Sequence, residues 1–462
     1  MKQDVDTIVE QKSDRIRRIA KQLHDNPELS MQEKFAVKML TENFVEEGFT
    51  IKDVEGLPTA FVAEYGSGKP IIGLLGEYDA LPDLSQKVKS THDPAVKGGA
   101  GHGCGHNLVG AGNAGAAFAI KELIAKGELK GTIRYYGTPA EEQIIGKIFM
   151  AQKGYFDDLD ASLQYHPHDY SAVAGMNLNS VVSVKFKFYG VSSHAGVDPQ
   201  NGRSALDAVE LMNVGSNYLR EHIIDAARIH YCLTDGPTAP NIVPEYASSW
   251  YLVRAPKKNL VYEIFDRVIN IAEGAALMTG TTMEYEILSD AYDVLNNVTL
   301  EDLAARNMAD LGPILFSEAD KEFAKDLLKT IPDETQQGLR KQFGYSEGTY
   351  ISDQPFGVLG RGGTLGGSSD LGDVSYKAPT VMVAVAAWPL GVSAHSWQAT
   401  ASAGSEIGMK SALYAAKMLA GTVYDLMGEG GKDILAAAQA EFDNKRVPYV
   451  TRFPEDYTAP EI

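Results

Sequence analysis

The segment Gly101-His102-Gly103-Cys104-Gly105-His106-Asn107 brings two imidazoles and a thiol within five positions. Cys and His suit zinc and other transition metals. The interleaved glycines let the backbone bend, so nearby side chains can converge on one ion. A flexible turn with incidental His and Cys is the plainer alternative. Three further signals lie downstream: Glu141-Glu142 after Thr138-Pro139-Ala140, the run His166-Pro167-His168-Asp169, and His395. Taken singly, paired acids at a helix start suit the helix dipole, and a lone His is usually structural. Together they supply enough donors for two ions, with one Glu left over. Two ions roughly 3.5–4 Å apart can share a water and clamp attacking and leaving atoms. The spare carboxylate is then a general base. Spacing does not say which Glu is spare, or which of His166 and His168 is a ligand. Asp79, in GEYDALP (76–82), is placed to fix a ligand histidine; an exposed turn acid is an equal alternative.

The elements that must position these groups follow from hydrophobic patterning. IIGLL (71–75), TIRYYG (132–137), ASLQY (161–165) and PTVMVAVAAW (379–388) read as buried strands, with helical stretches between them, including 141–153. Asn26-Pro27 divides the helical run 14–48 into two helices. The pattern predicts an α/β fold with an open, mostly parallel sheet and helices on both faces. All four signals fall at the carboxyl ends of strands or just beyond, where such sheets build their sites. The stretch after Cys104 reads as a helix, so the thiol lies near a helix N-terminus, which favours its thiolate.

Residues 181–292 change pattern: strand 181–190, helix 202–223, strands 228–234 and 245–255, helix 260–277, strand 281–288. This β-α-β-β-α-β order is that of an inserted α+β ferredoxin-like domain. Residues 1–180 and 293–462 then form one catalytic domain, within which 293–345 is an added charged helical segment. FGVLGRGGTLGGSSDLGD (356–373) reads as a Gly-rich loop.

Bulk properties narrow the class. The chain has 462 residues, and 42 Lys+Arg against 61 Asp+Glu give a formal charge of −19, which argues against nucleic acid as a partner. No secretory signal or membrane-length apolar run is visible, and two cysteines make no disulfide framework. Cytoplasm is the expected location. Gly110-Ala111-Gly112-Asn113-Ala114-Gly115 matches G-x-G-x-x-G and raises a dinucleotide-binding oxidoreductase, but no strand directly precedes it. Small residues packing a helix closely on a sheet explain it better. A closed structural zinc site is the other rival, and it needs only four ligands. Cys232 is expected in the core. Tyr165 and Trp397 either line an aromatic acyl pocket or simply pack.

With these residues assembled, the chain resembles the co-catalytic metallohydrolases of peptidase family M-twenty over nearly its whole length. The carriers are LHDNPELSMQE (23–33), GEYDALP, GHGCGHN, PAEE, DASLQYH, SSHAG (192–196), NIVPE (241–245) and the late His395. Cys in place of a bridging aspartate is similar to the hippurate- and auxin-conjugate-hydrolase branch. GHGCGHN, segment 293–345 and GGSSDLGDVSY (366–376) most resemble the aminobenzoyl-glutamate utilisation subgroup. The resemblance implies Cys104, His106, Glu142, His166 and His395 as ligands of two divalent ions per subunit, Mn²⁺ or Zn²⁺, with Glu141 as the base. It implies an inserted lid and dimerisation domain, whose His194 reaches the partner subunit's site in a homodimer. Asn241 and Arg254 would help bind the substrate carboxylate. The implied activity is cleavage of an N-acyl amino acid, p-aminobenzoyl-glutamate by subgroup, with an indole-acetyl-aspartate-type substrate or a dipeptide as alternatives and a related A-type subunit as a further partner. Three departures stand out. Asn107 and Glu77 each replace an expected Asp and matter little for metal binding, whereas segment 293–345 bears on lid shape and oligomeric contacts.

Overall fold

The structure, a computed structural model, describes residues 2–237 and 239–460, with the backbone alone for Lys2 and Gln3. Met1 and Ile462, the outer bounds of the expected catalytic domain, lie outside the described residues. In chain order the strands are β1 Thr50–Asp53, β2 Phe61–Ser67, β3 Ile71–Gly76, β4 Gly131–Gly137, β5 Ala161–His168, β6 Ser171–Ala174, β7 Asn177–Leu178, β8 Ser180–Tyr189, β9 Arg228–Asp235, β10 Tyr246–Ala255, β11 Thr282–Ala291, β12 Pro355–Leu359, β13 Thr364–Leu365 and β14 Thr380–Ala386.

Eight of them form one sheet in the order β1-β2-β4-β3-β5-β14-β6-β12. Its centre, β4-β3-β5-β14, is parallel throughout. Of these, β3 and β14 are almost wholly apolar because helices cover both faces, leaving no solvated side to alternate toward. One face buries Leu74, Leu163 and Val383 with helices Ser13–Asp25, His106–Ala125 and Glu406–Met427. The other buries Leu75 and Tyr136 with helix Gly146–Gln152, and Phe453 from the C-terminal segment joins it.

The remaining large sheet has the order β11-β8-β10-β9 and is antiparallel. Helices Ala205–Leu219 and Lys258–Thr279 close one face over Phe186, Tyr251 and Phe265, a core separate from the first two. Here β-α-β-β-α-β order is read directly off the chain.

Helix His106–Ala125 is long and apolar enough to cross a bilayer, yet it is the buried core helix of the main sheet. Its glycines explain the dinucleotide-like spacing. A Cβ on Gly112 would stand 3.1 Å from the Tyr165 ring and 3.2 Å from the Ala412 carbonyl; one on Gly115 would meet Ile16 Cδ1 at 2.5 Å. Close helix packing, not a phosphate, requires the small residues.

Several expectations need correction. The helix expected over 141–153 begins only at Gly146, because residues 141–144 form a turn in which Ile144 takes a left-handed φ of 57°. Residues 356–373 are not one loop: they include most of β12, all of β13 and the start of helix Leu371–Ser375. The division of 14–48 into two helices at Asn26-Pro27 holds, as Ser13–Asp25 and Lys34–Glu46, and a further helix, Lys2–Gln11, precedes them. Cys232 is exposed, since β9 is an edge strand. Tyr165 is fully buried and bonds Ser411 Oγ at 2.7 Å, so it packs and lines no pocket. Trp397 is half-buried against the core beside the His92 ring.

The added segment forms helices Val298–Leu311, Glu318–Leu328 and Asp333–Phe343. The last supports the loop that carries His395: a Cβ on Gly391 would stand 3.2–3.7 Å from Leu339, Thr335 and Ile331.

Gly115→Leu tests the packing account. In an exposed helix the change would stabilise by about 1 kcal/mol. Here overpacking against Ile16 should instead destabilise by about 1–3 kcal/mol, read from urea denaturation midpoints.

Candidate metal centre

Four stretches of chain meet at the carboxyl edge of the central strands. The loop after β3 carries Glu77 and Asp79. The glycine-spaced turn carries Cys104 and His106. The turn after β4 carries Glu141 and Glu142, and His166 lies two residues before the end of β5. His395 arrives from the loop after β14, its backbone N–H donating to the Gly103 carbonyl at 2.9 Å. Gly105 has φ 76°, and a Cβ there would meet Pro167 at 2.9 Å, so only glycine lets the turn pass this close.

Ligand-type atoms converge in overlapping groups, each with its members within 4.8 Å of one another: Cys104, His106 and His166; Cys104, Glu142 and His395; His106, Glu141 and Glu142; Glu77, Glu141 and Asp370. Cys104 Sγ lies 3.5 Å from His166 Nε2. Glu142 Oε2 lies 3.4 Å from His395 Nε2. His106 Nε2 lies 3.8 Å from Glu141 and 3.9 Å from Glu142. Cys104 thus belongs to two groups and joins them. Three buried atoms at this point, His106 Nε2, Glu142 Oε1 and Glu77 Oε2, have no hydrogen-bond partner. Orphaned donors and acceptors are costly in a folded interior. One thiol, three imidazoles and a carboxylate fit a pair of divalent transition-metal ions, whose coordination would satisfy His106 and Glu142.

Comparison with known proteins agrees. Residues 73–321 match the model of peptidase family M20/M25/M40. Over 98% of both chains the sequence is 36% identical to the B-type p-aminobenzoyl-glutamate hydrolase subunit of Escherichia coli (strain K12). The chain belongs to peptidase family M20/M25/M40 and is a hydrolase. It is also 29% identical to the Xaa-Arg dipeptidase of Mus musculus, over 91% of this chain and 87% of that one. Among solved structures, the aminobenzoyl-glutamate utilization protein from Klebsiella pneumoniae aligns with TM-score 0.61 at 17% identity, covering 90% of this chain and 98% of the other. A dinuclear metal-binding M20 peptidase of Bacillus subtilis aligns with TM-score 0.55 at 20% identity, covering 89% and 98%. These likenesses show that the α/β fold is that of the M20 family.

Within this family member, Asp79 orients the centre. Its Oδ1 lies 2.8 Å from His106 Nδ1, which leaves Nε2 facing inward. Its Oδ2 accepts from Ser30 Oγ at 2.8 Å and from the Glu142 N–H at 2.9 Å. His102 is turned away, with Nε2 3.1 Å from the Leu23 carbonyl oxygen. His168 pairs with Asp169 at 2.6 Å and joins none of the groups, so the structure brings His166 into the cluster and not His168. Asn107 donates to the carbonyls of Ala20 and Ala403, each at 3.2 Å, bonds that an Asp carboxylate could not donate.

His194, Asn241 and Arg254 lie elsewhere. His194 is exposed and outside every converging group among the described residues, with Nδ1 accepting from the Gly196 N–H. Asn241 is exposed too, and its carbonyl accepts from Ala195 N–H. Arg254, on β10, is half-buried and donates to the Gly366 carbonyl at 3.4 Å, while its Nε has no partner.

Sequence reasoning missed Lys147 and Asp370. Lys147 Nζ is fully buried and donates to Glu77 Oε1 and Asp370 Oδ1, each at 2.6 Å. A lysine inside the apolar run GKIFMA was the available signal, since buried Lys requires paired acids.

Charge states follow from crowding. Burial pushes the Cys104 thiol up to about 12, so the helix N-terminus does not by itself make a thiolate. Burial, with Glu141 and Asp79 adding to it, raises Glu142 to about 8. Burial likewise raises Glu141, and the neighbouring Glu77 adds to it. Burial opposes charge on His106, but Cys104, Asp79 and Glu77 outweigh it and carry the imidazole well above its ordinary range. Burial also works against ionised Asp79, yet His106 overrides it and holds that carboxyl at about 2.

Binding metal therefore has to displace protons. At pH 7 the metal-free protein carries protons on the Cys104 thiol and the Glu142 carboxyl. Calorimetric Zn²⁺ titration in buffers of different ionisation enthalpy should show more than one proton released per chain. The number should fall as pH rises past about 8, where Glu142 has ionised on its own. Uptake with no proton release would contradict this ligand set.

Proposed function

We propose that the protein is a two-metal amidohydrolase of N-acyl amino acids, cleaving p-aminobenzoyl-glutamate to p-aminobenzoate and glutamate. The observation that carries the reading is the convergence of Cys104, His106, Glu142, His166 and His395 beside a further carboxylate, Glu141. A closed four-ligand structural site would not need that number of donors. The full-length likeness to the Escherichia coli p-aminobenzoyl-glutamate hydrolase subunit supports the substrate.

Two divalent ions held by those five residues would supply Lewis-acid polarisation of the scissile carbonyl and an acidified water. Thiolate favours Zn²⁺, while the carboxylate and imidazoles also suit Mn²⁺. The protein's own groups do the rest. Glu141, turned toward His106 Nε2 but not needed as a ligand, takes the proton from the attacking water and returns it to the leaving amine. The rise in its pKa on burial suits an acid that must both accept and give a proton. His194 of a homodimeric partner donates to the developing oxyanion. Its exposure and its position on the second sheet's side suit a reach into another subunit. Arg254 pairs with the substrate carboxylate through its guanidinium, and Asn241 helps to hold it. Residues 181–292 are the lid and dimerisation domain on this reading. A related A-type subunit is a further partner; a relative of that name, from Escherichia coli, is 26% identical over 58% of this chain.

A substrate panel tests the reading: p-aminobenzoyl-glutamate, indole-acetyl-aspartate, hippurate and dipeptides ending in Arg, each with added Mn²⁺ or Zn²⁺. Turnover should be greatest on p-aminobenzoyl-glutamate and should vanish after dialysis against chelator. No turnover of any N-acyl amino acid would sink the proposal, and a preference for the dipeptides would move it to the dipeptidase relatives. Glu141→Gln should keep about two metals per chain by elemental analysis while kcat falls about 10²–10⁴-fold. Retained turnover would remove Glu141 from the role of base.

A further inference from the structure

The carboxylate of Glu77 is held in an unusual way. Its Oε1 accepts two short hydrogen bonds, from Lys147 Nζ and from Gln164 Nε2, both at 2.6 Å. Its Oε2 accepts none, is buried, and lies 3.4 Å from His106 Nε2. That imidazole nitrogen is itself buried and unpartnered. One oxygen is thus anchored while the other faces the atom through which His106 would hold an ion.

Lys147 is anchored in turn. Asp370 accepts from its ammonium with Oδ1 at 2.6 Å and from its backbone N–H with Oδ2 at 2.9 Å. Both side chains are fully buried. A single buried cation is therefore shared by two buried carboxylates, and ligand atoms of Glu77, Asp370 and Glu141 lie within 4.8 Å of one another. A purely structural ion pair would satisfy both oxygens of each acid, because a bare buried carboxylate oxygen is costly. Asp370 meets that rule and Glu77 breaks it, on the side that faces the metal centre.

We propose that Glu77 is a sixth metal-facing group of the centre, and that Lys147, braced by Asp370, is a positioning residue that presents its free oxygen to the ion on His106. The inference rests on the two-metal reading above. Lys147 has the chemistry for the task. Its ammonium occupies the inner oxygen, so the carboxylate cannot turn away from the centre. It also offsets part of the negative charge that Glu77, Glu141 and Asp370 concentrate there.

Elemental analysis and chelator-competition affinities on the reconstituted full-length protein decide it. Wild type should hold two ions; fewer than two would sink the two-metal reading itself. Glu77→Gln keeps the shape and removes the charge. It should weaken retention of one of the two ions about 10–100-fold, leaving the other ion and the circular dichroism spectrum unchanged. Lys147→Met should weaken the same ion in the same direction. If Glu77→Gln keeps both wild-type metal affinities and shows only a lower unfolding midpoint, the triad is a structural ion pair and the proposal is overturned. The Glu77→Gln arm carries the test even if Lys147→Met does not fold.

Discussion

The centre depends on one carboxylate, Asp79, which fixes three separate pieces of chain. It faces His106 at the start of the core helix, accepts from the backbone of Glu142 after β4, and accepts from Ser30 in the N-terminal connection. Hydrogen bonds to a charged group are worth about 1.5–3 kcal/mol each. His106, nearby on the same acid, keeps Asp79 ionised in a dry interior. The inward aim of His106 and the placement of Glu142 both follow from this. Around the hub the backbone takes conformations that it would otherwise avoid: Ala140, Ile144 and His395 all have left-handed φ values. Such residues cost on the order of 1–3 kcal/mol each and persist where surrounding contacts over-determine them. Glu33 supplies one such contact, accepting from the Ala140 N–H at 2.9 Å.

Much of the fold was legible because its signals are periodic. Runs such as IIGLL and TVMVAVA are apolar without alternation, as strands covered on both faces must be. The inserted β-α-β-β-α-β unit alternates, as a half-covered antiparallel sheet does. Metal-type residues could be gathered because strand ends predict a common edge. What spacing could not resolve was orientation. His102 and His106 differ only in which acceptor lies nearby, Leu23 carbonyl or Asp79, and that depends on contacts distant in sequence. Lys147 and Asp370 were missed for the same reason: 223 positions separate two groups whose partnership explains both. Cys232 was misplaced because β9 gave no sign of being an edge strand.

The converging groups sit at the edge of the central parallel strands, away from the helices of residues 298–343. These three added helices contribute no residue to the converging groups, yet Asp333–Phe343 props the loop bearing His395. That histidine is the most open of the five expected ligands, its side chain 56% exposed. A segment with no ligand of its own therefore bears on how firmly one ligand is held.

The position of β14 has a consequence in time. β5 and β6 are consecutive in sequence, yet β14 lies between them in the sheet. A nascent chain can make Cys104, His106, Glu142 and His166 long before the strand that must separate β5 from β6 exists. Synthesis runs at roughly 5–20 residues per second, so the sheet stays open beside His166 for on the order of tens of seconds. During that interval the partly made protein holds four of its expected ligands at an unfinished edge, where pairing β5 directly with β6 is the nearest local alternative. Insertion of β14 both closes the sheet and brings in the loop that carries His395, so closure of the sheet and completion of the donor set are coupled.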